Sequence, residues 1–158
     1  LGVPKAEIER RMADFARVCR ERGLKSTHQR MEVFRELAGS DRHPDAETVY
    51  RAVRRRVPAI SRDTVYRTLA TLAAQGLVRH AEALTGPARY DANTARHHHF
   101  VCIRCGRVED FYSEALDGLP VPKAVRAFGR VEDVQVQVRG VCTSCAAGGR
   151  KGRRRWPA

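Results

Sequence analysis

"DAETVYRAVRRRVPAISRDTVYRTLATLAAQG", Asp45–Gly76, holds two amphipathic segments divided by a short turn. In the first, Val49, Ala52 and Val53 recur at helical spacing behind Asp45, whose carboxylate can accept the open N–H groups of a first turn. In the second, Ser61 takes the capping position, Val65, Leu69 and Leu72 form the inward face, and Gly76 supplies the stop. The "VPAI" between them reads as a tight turn. Helix, short turn and capped helix make helix-turn-helix patterning.

Upstream, "KAEIERRMADFARVCRERG" places Ile8, Met12, Phe15 and Cys19 on one helical face and ends at Gly23. Cys19 is therefore expected in the core as a small hydrophobe, not as a redox sensor. "STHQRMEVFRELAGS" opens with Ser26 and Gln29 at capping-box spacing and sets Met31, Phe34 and Leu37 on one face. Downstream, "LVRHAEALTGPARYDA" has two short segments around a Gly86-Pro87 turn, the pattern of a β-hairpin. A helix-turn-helix followed by a hairpin is a winged helix.

Beyond it the pattern changes. "HHHFVCIRC" and "GRVEDFY" read as short strands, and "VPKAVRAFG" as a short helix. "VEDVQVQVRGVC" alternates Val134, Val136 and Val138 with polar residues, as a strand buried on one side does. The expected class is α+β: a winged helix-turn-helix domain over 1–88, a small α/β domain over 89–147, and a basic, disordered tail over 148–158. No internal repeat is visible.

The 158 residues, 42% hydrophobic, suffice for a core. No apolar run reaches the roughly 18 residues of a membrane span. The first residues read as an amphipathic helix, not a secretory signal, so a cytoplasmic protein is expected. The net charge of +12 is unevenly placed. Residues 1–88 carry 17 Lys/Arg against 11 Asp/Glu, residues 89–149 carry 8 against 7, and the remainder adds five positives. A basic N-terminal half suits a polyanion such as nucleic acid, and a solvated surface is the plainer alternative.

Four of the five cysteines form two C-x-x-C pairs, Cys102/Cys105 and Cys142/Cys145, separated by 36 residues. Two such knuckles offer a tetrahedron of thiolates that suits Zn(II), and a closed set of four leaves no open position, so that metal is structural. Unrelated thiol pairs or a redox pair would not explain why both pairs sit beside strand-like runs. A second donor set surrounds the first pair. On a strand, His97 and His99 share one face and His98 takes the other. With Asp91 and Asp110 they make a mixed nitrogen and oxygen set that suits Fe(II), Mn(II) or Zn(II).

These landmarks resemble the ferric uptake regulator family of metal-dependent repressors. The matching stretches are "STHQR", "HPDAETVYRAV", "SRDTVYRTLATLAAQGLV", "RYD", "HHHFVCIRCG" and "GVCTSC", in order over residues 5–147. The resemblance implies a winged helix joined to a dimerisation domain, a homodimer on a two-fold-related double-stranded operator, and a regulatory metal held from both. It implies His43 of "RHPD" as a ligand, a residue that alone reads as a loop histidine, together with Asp91, His97, His99 and Asp110. Asp110, where iron sensors usually carry glutamate, and Asp91 in "RYD" resemble the peroxide-sensing branch. There Fe(II) or Mn(II) is the regulatory metal, peroxide the only small molecule acted on, and oxidation of a histidine, matched here by His43 and His97, releases DNA. His98 departs from the family pattern, and no histidine lies between residues 120 and 141 for an auxiliary site.

For DNA, the segment that begins at Ser61 would lie in the major groove, with Arg62, Tyr66 and Arg67 outward and Arg30 on the backbone. A regulator of iron or zinc level on the same scaffold is the nearest alternative. A metal-dependent hydrolase is further off, because no carboxylate beyond the ligands is placed as a general base. No enzyme activity and no membrane partner are expected.

Overall fold

The computed structural model describes residues 2–81 and 87–148, and its contacts divide the chain into two units, Leu1–Thr94 and Ala95–Ala158. The division falls after Thr94, not after residue 88. Arg89–Asp91, expected at the head of the second domain, is a strand of the first, because it pairs with the strand before it.

The first unit runs α1 (Lys5–Glu21), α2 (His28–Ala38), α3 (Ala46–Arg54), α4 (Arg62–Ala74), β1 (Arg79–Ala81) and β2 (Arg89–Asp91). Phe15 of α1 stacks on Phe34 of α2 with ring centroids 4.5 Å apart, and Leu37, Val49, Val53, Val65, Leu69 and Leu72 fill the core beside them. Cys19 is buried in the same cluster, and burial pushes its thiol up, as befits a packing residue. Asp45 accepts the Thr48 N–H at 2.8 Å and Ser61 the Thr64 N–H at 3.1 Å, so both expected caps form. The capping box at Ser26 and Gln29 does not. Thr27 is the cap, accepting the Arg30 N–H at 3.3 Å, and the helix starts one residue later. Adjacent hydroxyls compete for one role, and the sequence alone cannot rank them. Gly23 and Gly76 both take φ +65, the left-handed turn that ends each helix. β1 and β2 pair antiparallel, Arg79↔Asp91 and Ala81↔Arg89, which gives the expected hairpin. Its turn through Gly86 lies outside the described residues.

On α1, the Arg10 guanidinium and then that of Arg11, against an opposing push from burial, hold the Glu7 carboxyl down at about 2. A folded-state value below the unfolded one stabilises above the ordinary carboxylate range and is lost as pH falls through the lowered value. Glu7→Gln is expected to cost the unit about 1 kcal/mol at neutral pH, a figure reduced for solvent screening. Urea midpoints of variant and parent should begin to converge below the unfolded value of 4.5 and meet only as the pH falls to about 2. A gap that stays constant with pH would show that the loss is one of packing.

The second unit runs β3 (His98–Cys102), β4 (Val108–Phe111), α5 (Glu114–Asp117), α6 (Lys123–Arg126), β5 (Gln137–Gly140) and α7 (Thr143–Ala146). Its sheet has the order β4-β3-β5, with β4 antiparallel and β5 parallel to β3. A Cβ at Gly140, at the end of β5, would stand 2.9 Å from the Phe100 ring and push that ring aside. The alternating valines are only partly as expected. The strand begins at Gln137, Val134 and Val136 are half-buried ahead of it, and Val138 is exposed. A three-stranded sheet with β5 at its edge does not cover that face. Among the described residues no helix is long and apolar enough to cross a membrane. The tail from residue 149 onward lies outside the described residues.

Candidate metal centres and nucleic-acid face

The cysteine cluster grows from two short turns. Cys102 ends β3, and its carbonyl accepts the Gly106 N–H at 2.9 Å while its N–H donates to the Arg107 carbonyl at 2.8 Å, with Gly106 at φ 71 closing the turn. Cys142 follows β5 and caps α7, which carries Cys145. The Arg104 guanidinium donates to the Cys145 carbonyl at 3.0 Å and ties the two turns. All five cysteines are thiols, and the four of the cluster hold their Sγ atoms within 4.8 Å of one another. A tetrahedron with zinc–sulfur bonds of about 2.3 Å has edges of about 3.8 Å. Cys105 and Cys142 stand 3.8 Å apart at sulfur, so the cluster has the size of a zinc site.

Burial opposes ionisation of Cys102, yet the backbone N–H groups of Cys142, Cys105 and Arg104 donate to its sulfur and hold its thiol at about 6. Cys145 is pushed up to about 12, by burial first and then by the crowding sulfurs of Cys142, Cys105 and Cys102. One thiolate forms readily, and four together need a cation. The apolar cluster of this unit consists of Cys102, Cys142 and Cys145 with Phe100 against them, so the donor set is also the packing centre.

The histidine set of the second unit follows from strand alternation. His99 and Asp110 are directly opposed across β3 and β4, and His97 lies just ahead of β3 on the same side. His97 Nε2 is 2.9 Å from His99 Nε2 and 3.6 Å from Asp110 Oδ1, and His99 Nε2 is 3.4 Å from that oxygen. His97 Nδ1 lies 2.8 Å from the Ala95 carbonyl, an acceptor for its N–H, which turns the lone pair of Nε2 toward His99 and Asp110. Donors about 2.1 Å from one ion stand about 3.0 Å apart at a right angle and about 3.4 Å apart in a tetrahedron, so the spacing fits Fe(II), Mn(II) or Zn(II). His98 is also buried but faces elsewhere. Its Nδ1 accepts the Val136 N–H at 3.2 Å, and its Nε2 lies 3.3 Å from Asp117.

In the first unit, His43 and Asp91 come together. The Tyr90 N–H donates to the Pro44 carbonyl at 3.1 Å and the Arg89 guanidinium to the His43 carbonyl at 3.1 Å, which pins the 42–45 loop to β2. Asp91 Oδ1 accepts the Asn93 N–H at 2.7 Å, and Oδ2 lies 3.6 Å from His43 Nε2. Among the described residues His43 is the one non-glycine with positive φ, 47 degrees, a conformation that the surrounding contacts must hold in place. Residue spacing gave no sign of it.

Of the proposed DNA residues, Ser61, Arg62, Tyr66 and Arg67 lie on the helix-turn-helix and Arg30 on α2. Ser61 caps α4, and Tyr66 and Arg67 are exposed on it, with Arg67 paired to Asp63 at 3.0 Å. Tyr66 stands outward as expected, with 49% of it exposed. Arg62 is exposed and ion-paired to Glu47 of α3. Arg30 differs. It is half-buried, and its guanidinium donates to the Lys25 carbonyl.

Comparison with known proteins agrees with this description. The peroxide-responsive repressor PerR of Staphylococcus epidermidis is 31% identical over 140 residues, covering 88% of this chain and 90% of that protein. The Campylobacter jejuni peroxide stress regulator superimposes with a TM-score of 0.63 at 28% identity, covering 82% of this chain and 98% of that one. The Helicobacter pylori ferric uptake regulator, at 22% identity and a TM-score of 0.68 over 88% of this chain and 93% of its own, shares the fold. The model of the ferric uptake regulator family matches residues 21–138, and the chain belongs to that family.

Proposed function

We propose that this chain is a metal-dependent transcriptional repressor that releases DNA when hydrogen peroxide oxidises a histidine at its regulatory metal site. The observation that carries this reading is the set of His97, His99 and Asp110, two imidazoles and a carboxylate within 2.9–3.6 Å of one another, apart from the four thiolates. Cys102, Cys105, Cys142 and Cys145 hold a structural Zn(II) that maintains the second unit. His43 and Asp91 serve the same regulatory ion, Fe(II) or Mn(II), as His97, His99 and Asp110. Bound there, Fe(II) would activate hydrogen peroxide toward a neighbouring imidazole: one peroxide oxygen would replace hydrogen on a ring carbon, a two-electron oxidation, and the other would leave as water, chemistry that Mn(II) would not supply. His43 and His97 are the residues to be oxidised. An oxidised imidazole is a poorer donor, so the ion is lost and with it the DNA-binding arrangement.

The partner is double-stranded DNA with two-fold symmetry, bound by a homodimer, and the working compartment is the cytoplasm. Ser61, Arg62, Tyr66 and Arg67 of the α4 segment face the groove, and Arg30 supports the backbone contact. The resemblance to regulators supports a binding protein in which peroxide is the only small molecule that reacts.

An anaerobic experiment tests this. The protein is loaded with Fe(II), or with Mn(II) as control, and given one equivalent of hydrogen peroxide, and its peptides are weighed. One added oxygen on the peptides that hold His43 or His97, with iron only and together with loss of DNA binding, is the expected result. Unoxidised peptides, with DNA binding that tracks added metal, would instead make the chain a regulator of metal level.

A further inference from the structure

Arg62 stands on the first turn of α4, but its side chain is held from α3. Its guanidinium lies 5.1 Å from the centre of the Tyr50 ring and 3.1 Å from Glu47 Oε2. Glu47 is itself fixed by Arg51, 3.0 Å away one turn along α3. Tyr50 is almost fully buried, and its hydroxyl accepts from Arg54 at 3.0 Å while the Arg54 guanidinium lies 5.8 Å from the ring. Arginine normally spreads over many rotamers, and a ring face with a carboxylate selects among them before any ligand arrives. The ring is buried in the core, and the guanidinium it carries is exposed.

We infer that Glu47 and Tyr50 are positioning residues that pre-orient Arg62 to read a base, so that operator discrimination depends on two side chains of α3. This rests on the DNA-binding reading above. A pre-oriented planar fork meets guanine bidentately with little ordering cost, whereas a loose one prefers any nearby phosphate. Glu47 has a second effect. Its negative charge repels the DNA backbone, so it costs non-specific affinity while it holds the fork.

The test uses the full, metal-loaded chain and two probes, a random-sequence duplex pool and the duplex that the parent protein enriches from it. If the parent enriches nothing, the DNA-binding reading fails, not this inference alone. Given enrichment, Arg62→Ala should reduce the ratio of enriched to unselected affinity by about tenfold or more. Glu47→Gln should reduce the ratio about threefold while it strengthens binding to the unselected pool. Tyr50→Leu should reduce the ratio similarly, and Tyr50→Phe, which keeps the ring face, should restore it. Melting temperatures measured alongside separate a loss of fold from a loss of discrimination, and Glu47→Gln, a near-isosteric change at a half-buried position, keeps the test open if Tyr50→Leu unfolds. In an Arg62→Ala background, Glu47→Gln should leave the ratio unchanged. An unchanged ratio in Glu47→Gln and in Tyr50→Leu, or a full effect of Glu47→Gln without Arg62, would overturn the inference.

Discussion

Cys102→Ser will unfold the second unit and leave the first standing. Cys102 is fully buried, its sulfur accepts the Cys142 N–H at 3.3 Å, and its neighbours in the apolar cluster are Cys142, Cys145 and Phe100. Beyond that cluster the buried aliphatic residues are few, chiefly Val101 and Val108. A unit so small gains only a few kcal/mol from its apolar core. A structural zinc in comparable small folds contributes about 10–16 kcal/mol, so losing a ligand exceeds what remains. Serine keeps the shape but offers a far poorer donor to zinc. Amide exchange should show protection lost across β3, β4 and β5 and retained in α2, α3 and α4. Zinc content by native mass should fall together with it, and a strong chelator should reproduce the pattern in the parent. Protection retained in β3 with no zinc bound would show that the sheet stands without metal.

On α4, Leu69→Ala and Tyr66→Ala will act in opposite ways although the two residues lie three apart. Leu69 is fully buried between α2, α3 and α4, and Tyr66 is exposed. Leucine to alanine in a filled core costs about 2–5 kcal/mol, the transfer term plus the cavity left behind. Against a typical total of about 5–15 kcal/mol this is a large fraction, so the urea midpoint of the first unit should drop sharply. Tyr66→Ala should move stability by no more than about 0.5 kcal/mol, as surface changes do. Its effect should appear in DNA affinity, measured by anisotropy on the enriched duplex, as a loss of about tenfold. If Tyr66→Ala changed neither, α4 would not be the face that meets DNA.

The parts legible in the sequence were those encoded by short spacing. Asp45, Ser61, Gly23 and Gly76 mark helix ends through local hydrogen bonds and backbone freedom, and each took the expected place. The C-x-x-C turns are also local, and strand alternation put His97 and His99 on one side and His98 on the other. His43 was illegible to spacing, because a single histidine before proline carries no period, and only the family resemblance named it. Val138 was misjudged because alternation says which residues share a face, not whether anything covers it. The hold of Glu47 and Tyr50 on Arg62 depends on how two helices cross, which no local pattern records.

The parallel pairing of β3 with β5 has a consequence for the order of events in folding. Cys102 and Cys142 sit at the same end of the two strands, and a long connection through α5 and α6 separates them. Closing a long loop before its contacts form is slow, and parallel pairs reward the closure late. The first unit is built mostly from neighbouring helices and one hairpin, which favours rapid assembly. As the chain leaves the ribosome, the first unit can assemble while the last two thiols are still unmade. The second must wait for Cys145, and capture of the ion then sets strand register and completes the sheet in one step.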